Sequence, residues 1–304
     1  MVTFKGENFA DVYEQSLKYL HATGVVNNPR GTSTKEVLNV SLEITNPLSC
    51  LYKNPVRSSQ FKYIAAEFLW YFSGRNDAEY ITKYAKMWDS IKNADGTVNS
   101  AYGYLIFTER IPNSKINQYG WAIEALVMDP ETRQSILHFN NASHQRPNNK
   151  DFVCTMYGIF HIRDNKLNFS IYMRSNDAVR GTPTDIAFFC TLQVQMWKHL
   201  KEFYPDLQLG SYTHVANSYH IYDTHYELVE KMLGQSFEPV SMPTLRSNLI
   251  HSNGTPTPEL LAVMTEIAGP TDHELIFQEE DDILCWIYGK LQPKPVKNEQ
   301  TDKV

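Results

Sequence analysis

Residues 151–187, DFVCTMYGIFHIRDNKLNFSIYMRSNDAVRGTPTDIA, constrain this chain more than any other stretch. Two runs rich in β-branched and aromatic residues, 152–162 and 167–173, flank a tight polar Asp164-Asn165 turn, so the spacing predicts a hairpin. Cys154 then lies on the first strand and Arg174 just past the end of the second. A Gly-Thr-Pro turn follows and opens the apolar run 183–204, whose length and spacing suit a long buried helix better than a strand. A thiol, a guanidinium and a carboxylate at a helix start, Asp185, can therefore face one pocket.

Taken singly, each of the three has an ordinary structural explanation. A Cys in an apolar strand behaves as a small buried hydrophobe, an Arg at a strand end is a surface ion-pair partner, and a carboxylate in a first helical turn is favoured by the helix dipole. The combination points to chemistry. A nucleophilic thiolate needs a nearby cation to bring its pKa down from about 8.5, and Arg174 can supply that charge while gripping an anionic substrate.

A chain of 304 residues with 42% hydrophobic content can bury a large core as one elaborated α/β domain or two. The net charge of −6 argues against a surface that coats nucleic acid, so an anionic substrate requires a local arginine cluster. Cys50, Cys154, Cys190 and Cys285 show neither metal-ligand spacing nor a disulfide framework, which predicts no metal and a reducing, cytoplasmic setting. No apolar signal region and no run of membrane-spanning length is present.

Along the chain, residues 7–23 predict an amphipathic helix stopped by Gly24, and a polar loop containing Arg30 leads into the strand-like VLNVSLEI. Residues 58–73 predict a mostly apolar helix with one carboxylate, Glu67, whose burial would raise its pKa and make it a usable proton shuttle. Residues 118–128 read as a helix followed by a turn and a strand, and 140–150 as a polar surface loop. Residues 209–222 read as a strand that carries His220 and Tyr222 on one face, with a helix from about 224. The charged tail 293–304 has the composition of a mobile end.

Cys154, the MRSND run at 173–177, the Gly-x-Pro-x-Asp-Ile-Ala run at 181–187 and the H-x-x-x-x-x-H-I-Y run at 214–222 resemble the signatures of the thymidylate synthase family, in that family's order. The likeness extends from Arg30 to about residue 230, and the strings DFVCT, IRDNK, MRSND and NSAYG resemble its phage deoxycytidylate hydroxymethylase branch. The resemblance implies one domain over 1–292 with a polar tail at 293–304. Its fold would be a mixed β-sheet covered by helices, an α/β (α+β) arrangement, pairing sheet to sheet in a homodimer. It implies a covalent adduct between Cys154 and carbon 6 of a pyrimidine nucleotide, with Glu67 ordering water near the ring and Tyr102 close to the nucleophile. Arg30, Arg174 and a partner's Arg133 would hold the phosphate; the second of two adjacent family arginines is Gln134 here. Ser175, Asn176, Asp177, His220 and Tyr222 would bind the rest of the nucleotide, the last two at the sugar. Trp88, Asp177 and Gly181 would border the cosubstrate, 5,10-methylenetetrahydrofolate, although Ile91 stands where a second folate-side tryptophan is common.

Base choice turns on Asp185, where thymidylate synthases carry an asparagine. An amide can accept from nitrogen 3 of uracil and donate to its carbonyl, whereas cytosine presents the reverse pattern, which a protonated carboxyl matches. Mispaired buried polar groups can reject the wrong ligand by about 10⁴-fold. The helix N-terminus favours an ionised Asp185; then cytosine must bring a proton on nitrogen 3. On this resemblance the expected activity is dCMP 5-hydroxymethylation, in which water rather than hydride meets the exocyclic methylene. A thymidylate synthase, a dCMP methylase, a CMP hydroxymethylase and a non-catalytic nucleotide-binding relative are the alternatives. Thr155 and Ser218 depart from the His and Asp common in thymidylate synthases, as in the hydroxymethylase.

Overall fold

The computed structural model describes residues 1–269, 275, 277 and 282–292, so the predicted tail at 293–304 lies outside the described residues. The strands are β1 (Val2–Gly6), β2 (Val25–Asn27), β3 (Thr34–Ile44), β4 (Leu51–Lys53), β5 (Ile136–His138), β6 (Thr155–Arg163), β7 (Lys166–Met173), β8 (Asn176–Asp177), β9 (Gln208–Tyr222) and β10 (Glu238–Val240). The helices are α1 (Phe9–Thr23), α2 (Phe61–Phe72), α3 (Ala78–Thr82), α4 (Met87–Ile91), α5 (Gln118–Met128), α6 (Thr182–Leu200), α7 (Tyr226–Leu233), α8 (Pro258–Ala268) and α9 (Ile283–Leu291).

The sheet that organises them runs β1-β3-β9-β7-β6-β5, with β2 paired to β3 and β8 to β9. It is mixed: β1 with β3, β7 with β9 and β8 with β9 are parallel, and the remaining pairs are antiparallel. The predicted hairpin is β6–β7. Its Asp164-Asn165 turn takes φ values of 50° and 57°, the left-handed pair that lets a two-residue loop follow the strands' twist. Alternation along the hairpin sorts its side chains onto two faces. Phe160 stacks on Phe169 at 3.9 Å between ring centroids in the core, while Tyr157 stacks on Tyr172 at 4.7 Å on the half-exposed face. Helix α6 is buried along nearly its whole length, as expected of a helix laid across the covered face of a sheet.

Three boundaries differ from the sequence reading. Cys154 stands immediately before β6 rather than on it. The ladder is disturbed by a bulge between Thr155 and Tyr157, and the carbonyls of Phe152 and Val153 are taken by the side chain of Arg174 instead of a strand neighbour. The apolar run beyond Leu200 leaves the helix as turns. The helix expected from 224 begins at Tyr226, after a single 3-10 turn at Asp223–His225.

One close approach positions part of the site. Tyr102 lies flat on Tyr71 of α2 at 5.3 Å and on Phe189 of α6 at 5.6 Å. This packing needs no side chain at the next residue, because a Cβ on Gly103 would overlap the backbone carbonyl of Tyr71. Overpacking of this kind costs about 1–3 kcal/mol or more when backbone must move. Gly103→Ala is therefore expected to lower the midpoint of urea unfolding and to dislodge Tyr102; an unchanged midpoint would show that the two segments are not held at this distance.

Candidate active site

Strand β7 ends at Met173 and delivers Arg174 beside the segment that carries Cys154. The Arg174 backbone N–H donates to the Cys154 carbonyl at 2.9 Å. Its guanidinium donates from Nε to the Val153 carbonyl at 3.1 Å, from Nη2 to the Phe152 carbonyl, and from Nη1 to the Ser175 hydroxyl at 3.1 Å. It also covers the Phe152 ring at 4.9 Å. Nη2 lies 3.5 Å from Cys154 Sγ, and Ser175 Oγ lies 3.8 Å from it. The expectation of a thiol lowered by its cation meets a correction here: desolvation raises the Cys154 pKa by more than Arg174 and Ser175 lower it. The resting sulfur is thus a thiol beside a permanent positive charge.

Helix α2 presents Tyr63, Glu67 and Tyr71 at intervals of four, a stripe along one face. Trp88 Nε1 donates to the Tyr63 hydroxyl at 2.9 Å, and that hydroxyl donates to Glu67 Oε1 at 2.8 Å. Burial, and secondarily the negative charge of Asp185, push Glu67 up to about 8 against the opposing hydrogen bonds of Tyr63 and Tyr71. Asp185 sits in the first turn of α6, and its Oδ2 accepts from Asn176 Nδ2 at 2.8 Å. The helix dipole that favours an ionised Asp185 is opposed by its loss of hydration. Desolvation outweighs the Asn176 hydrogen bond and lifts the carboxyl to about 7, so protonated and ionised forms coexist near neutral pH.

These groups open onto one cavity of about 720 Å³. Cys154, Glu67, Tyr102 and Asp185 line it, as do Trp88, Arg174, Ser175, Asn176, Asp177, Gly181, His220, Tyr222 and, from its exposed turn, Arg30. Arg133 does not; it is exposed and lies away from the cavity of its own chain. Thr155 is buried and does not line the cavity, and Ser218 donates to Glu36 on β3 instead. Arg57 and Arg180 are additional cations at the cavity that sequence reasoning missed. Nothing in spacing marks Arg57, whereas Arg180 directly precedes the turn glycine. Tyr63 and Tyr71 were missed too, although their four-residue spacing from Glu67 was readable. Asp151, buried, accepts from the Ser100 backbone N–H at 2.8 Å and from its hydroxyl, so it ties the Cys154 segment to the one that carries Tyr102.

The cavity has two chemistries. Arg30, Arg57, Arg174 and Arg180 supply its cations together with Lys86 and Lys150, while Tyr84, Met87, Trp88 and Ile91 add aromatic and aliphatic surface of the kind that suits a flat heterocycle. Among the described residues no cluster of His, Cys, Asp and Glu is arranged to hold a metal ion, and no helix is long and apolar enough to cross a membrane.

Comparison with known proteins agrees with this geometry. The thymidylate synthase family model matches residues 11–259. A deoxyuridylate hydroxymethyltransferase of Bacillus phage SP01 is 28% identical over 289 residues, covering 88% of this chain and 72% of that protein.

The raised carboxyls carry a stability signature. A carboxyl that ionises near 4 when unfolded, but near 7 or 8 when folded, leaves the native state binding more protons between those values. Its favourable contribution is complete below the unfolded pKa and is lost as pH rises through the folded one. The thermal midpoint of the ligand-free protein should fall between about pH 5 and pH 8 through these two groups, and Glu67→Gln should flatten that fall. A slope identical in the variant and the parent would place Glu67 in water.

Proposed function

Because the chain belongs to the thymidylate synthase family, and is a folate-dependent pyrimidine nucleotide one-carbon transferase, we propose that it converts dCMP to 5-hydroxymethyl-dCMP. The observation that carries this reading is Asp185: a half-buried carboxyl, lifted to about 7 and lining the cavity, which when protonated can donate once and accept once. Cytosine offers the complementary acceptor at nitrogen 3 and donor at its amino group. When the proton is on Asp185, as the raised pKa allows near neutral pH, the nucleotide need not bring one.

The roles of the chain's residues are taken from the family resemblance and are compatible with the cavity lining. Arg30 and Arg174, with Arg57 and Arg180 in the same lining, meet the phosphate, joined by Arg133 of a second copy in a homodimer that pairs the half-exposed sheet faces bearing Tyr157 and Tyr172. His220 and Tyr222 meet the sugar, and Ser175 and Asp177 complete the nucleotide site. Residues 1–292 form the domain that holds it. The thiol of Cys154 gives up its proton to solvent water as the sulfur bonds to carbon 6 and the electron pair of the carbon 5–carbon 6 bond moves to carbon 5, so the thiolate never accumulates in the low-dielectric cavity; Arg174 stabilises the charge while it develops. Carbon 5 becomes nucleophilic as a result.

Methylenetetrahydrofolate supplies the one-carbon unit, and the wall of Trp88 and Ile91, with Asp177 and Gly181, is where this chain would hold it. After carbon 5 has taken that unit and lost its proton, an exocyclic methylene is left on the base. Addition of water to this methylene, with departure of Cys154 from carbon 6, completes dCMP + methylenetetrahydrofolate + H₂O → 5-hydroxymethyl-dCMP + tetrahydrofolate with no net oxidation. Glu67, neutral near pH 7 and hydrogen-bonded by Tyr63, orders that water and exchanges protons with it. Tyr102 holds the nucleophile's side of the ring.

A second reading, hydroxymethylation of dUMP, is favoured by one observation, the name of the phage SP01 relative. Both readings share the hydroxymethyl outcome and differ in the base. Purified protein incubated with methylenetetrahydrofolate and dCMP, dUMP or CMP, with products identified by mass, separates them. Hydroxymethyl-dCMP is the expected product; turnover of dUMP with dCMP untouched overturns the assignment, and a methyl product overturns the water step. Cys154→Ser is expected to cut turnover by at least about 10³-fold while dCMP binding, read by calorimetry, persists. Near-normal turnover would remove the sulfur from the mechanism.

A further inference from the structure

Behind Asp185 the structure holds a chain of buried polar groups that runs into the sheet. Asn176, on the short strand β8, donates from Nδ2 to Asp185 Oδ2 at 2.8 Å. Its Oδ1 lies 3.0 Å from His214 Nε2 and also accepts from the Thr182 hydroxyl. His214, on the core face of β9, meets the Tyr212 hydroxyl through Nδ1 at 2.8 Å. Tyr212 and His214 are wholly buried, and Asn176 nearly so.

Donor and acceptor arithmetic leaves this chain little freedom. An amide oxygen only accepts, so His214 must carry its hydrogen on Nε2. Nδ1 is then an acceptor and the Tyr212 hydroxyl donates to it. Desolvation, which takes His214 down to about 3, keeps the imidazole neutral and thus limited to one ring hydrogen. The reverse orientation of the Asn176 amide would need three concerted changes: the His214 hydrogen moved to Nδ1, the Thr182 hydroxyl, which also reaches the Asp177 carbonyl at 3.2 Å, turned to accept, and the Asp185 proton placed on Oδ2. In the orientation observed the NH₂ is directed at Asp185 Oδ2, which makes that oxygen an acceptor and leaves the carboxyl proton to Oδ1.

We propose that His214 is a positioning residue for base choice: by locking the Asn176 amide it fixes which oxygen of Asp185 bears the proton, and so fixes the order of donor and acceptor that the base meets. A carboxyl free to carry its proton on either oxygen presents donor then acceptor to one base, and acceptor then donor to the other. It therefore discriminates poorly between cytosine and uracil. The relay Tyr212–His214–Asn176 removes the second arrangement. That the favoured base is cytosine rests on the function proposed above; that the order is fixed rests on the relay alone.

The test compares dCMP and dUMP binding by calorimetry in the full-length parent, His214→Phe and His214→Gln, with thermal midpoints measured alongside. Phe fills the buried space with no donor, whereas Gln can still donate from Nε2 to Asn176. Expected is a loss of at least about tenfold in the dCMP-to-dUMP affinity ratio for His214→Phe, read chiefly as gained dUMP binding, and a ratio within about threefold of the parent for His214→Gln. A merely structural histidine would weaken both nucleotides equally in both variants, and that result, or an unchanged ratio in a folded His214→Phe protein, overturns the proposal. If His214→Phe does not fold, Thr182→Val, which removes the other donor on Asn176, is read by the same criterion. Should the parent itself prefer dUMP, the base assignment fails; the relay still stands if the ratio collapses in His214→Phe and falls if it does not.

Discussion

The guanidinium of Arg174 is the constraint on which the site depends. It takes the carbonyls of Phe152 and Val153 just where the hairpin ladder ends, and lies against Cys154 Sγ and Ser175. A fork of five fixed donors that does not lose its charge suits this task. It holds the nucleophile's backbone and supplies the field at the sulfur. The same residue opens the run Ser175–Asp177, which pairs with β9 and turns at Gly181 into α6. Position and electrostatics at Cys154 and Asp185 therefore share one mechanical origin, the junction at the end of β7.

Around that junction burial sets protonation. Cys154, Glu67 and Asp185 all shift toward their neutral forms, in each case chiefly by desolvation. Glu67 and the Cys154 thiol thus add little negative charge to the cavity near neutral pH, while its exposed or half-exposed lining includes Arg30, Arg57, Arg180, Lys86 and Lys150. An overall charge of −6 coexists with a locally cationic mouth, the arrangement by which an acidic protein draws in a small anion without binding polyanions along its surface.

The hairpin, helix α6 and the part of the cavity they carry were legible in residues 151–187 because hairpin and helix signals are local: a turn dipeptide with left-handed angles, two alternating runs, a long apolar segment. The site residues outside that stretch were named from the family resemblance. Fourteen residues were named for the site, and thirteen of them line one cavity; the exception, Arg133, lies outside the cavity of its own chain. What was not legible depends on desolvation and on side-chain geometry. The helix dipole alone favoured an ionised Asp185 and left open which partner holds the proton, because a sequence carries no measure of the desolvation that raises its pKa. Cys154 was placed on a strand because its pattern continues one, whereas the carbonyls before it are taken by side chains, Arg174 at Phe152 and Val153 and Asn140 at Val153. Asn176 was read as a substrate contact, yet three of its hydrogen bonds go to the protein.

Two carboxyls in one cavity raise the question of how each keeps a distinct role. Their hydrogen-bond supports differ. The indole N–H of Trp88 can only donate, so the hydroxyl of Tyr63 sends its own proton to Glu67 Oε1, and Tyr71 adds a second hydrogen bond to the same carboxyl. Asp185 Oδ2 instead takes the amide of Asn176. Glu67 is thus held by two phenols of its own helix α2, whereas Asp185 is held by an amide on β8 that is backed by the imidazole of His214 on β9.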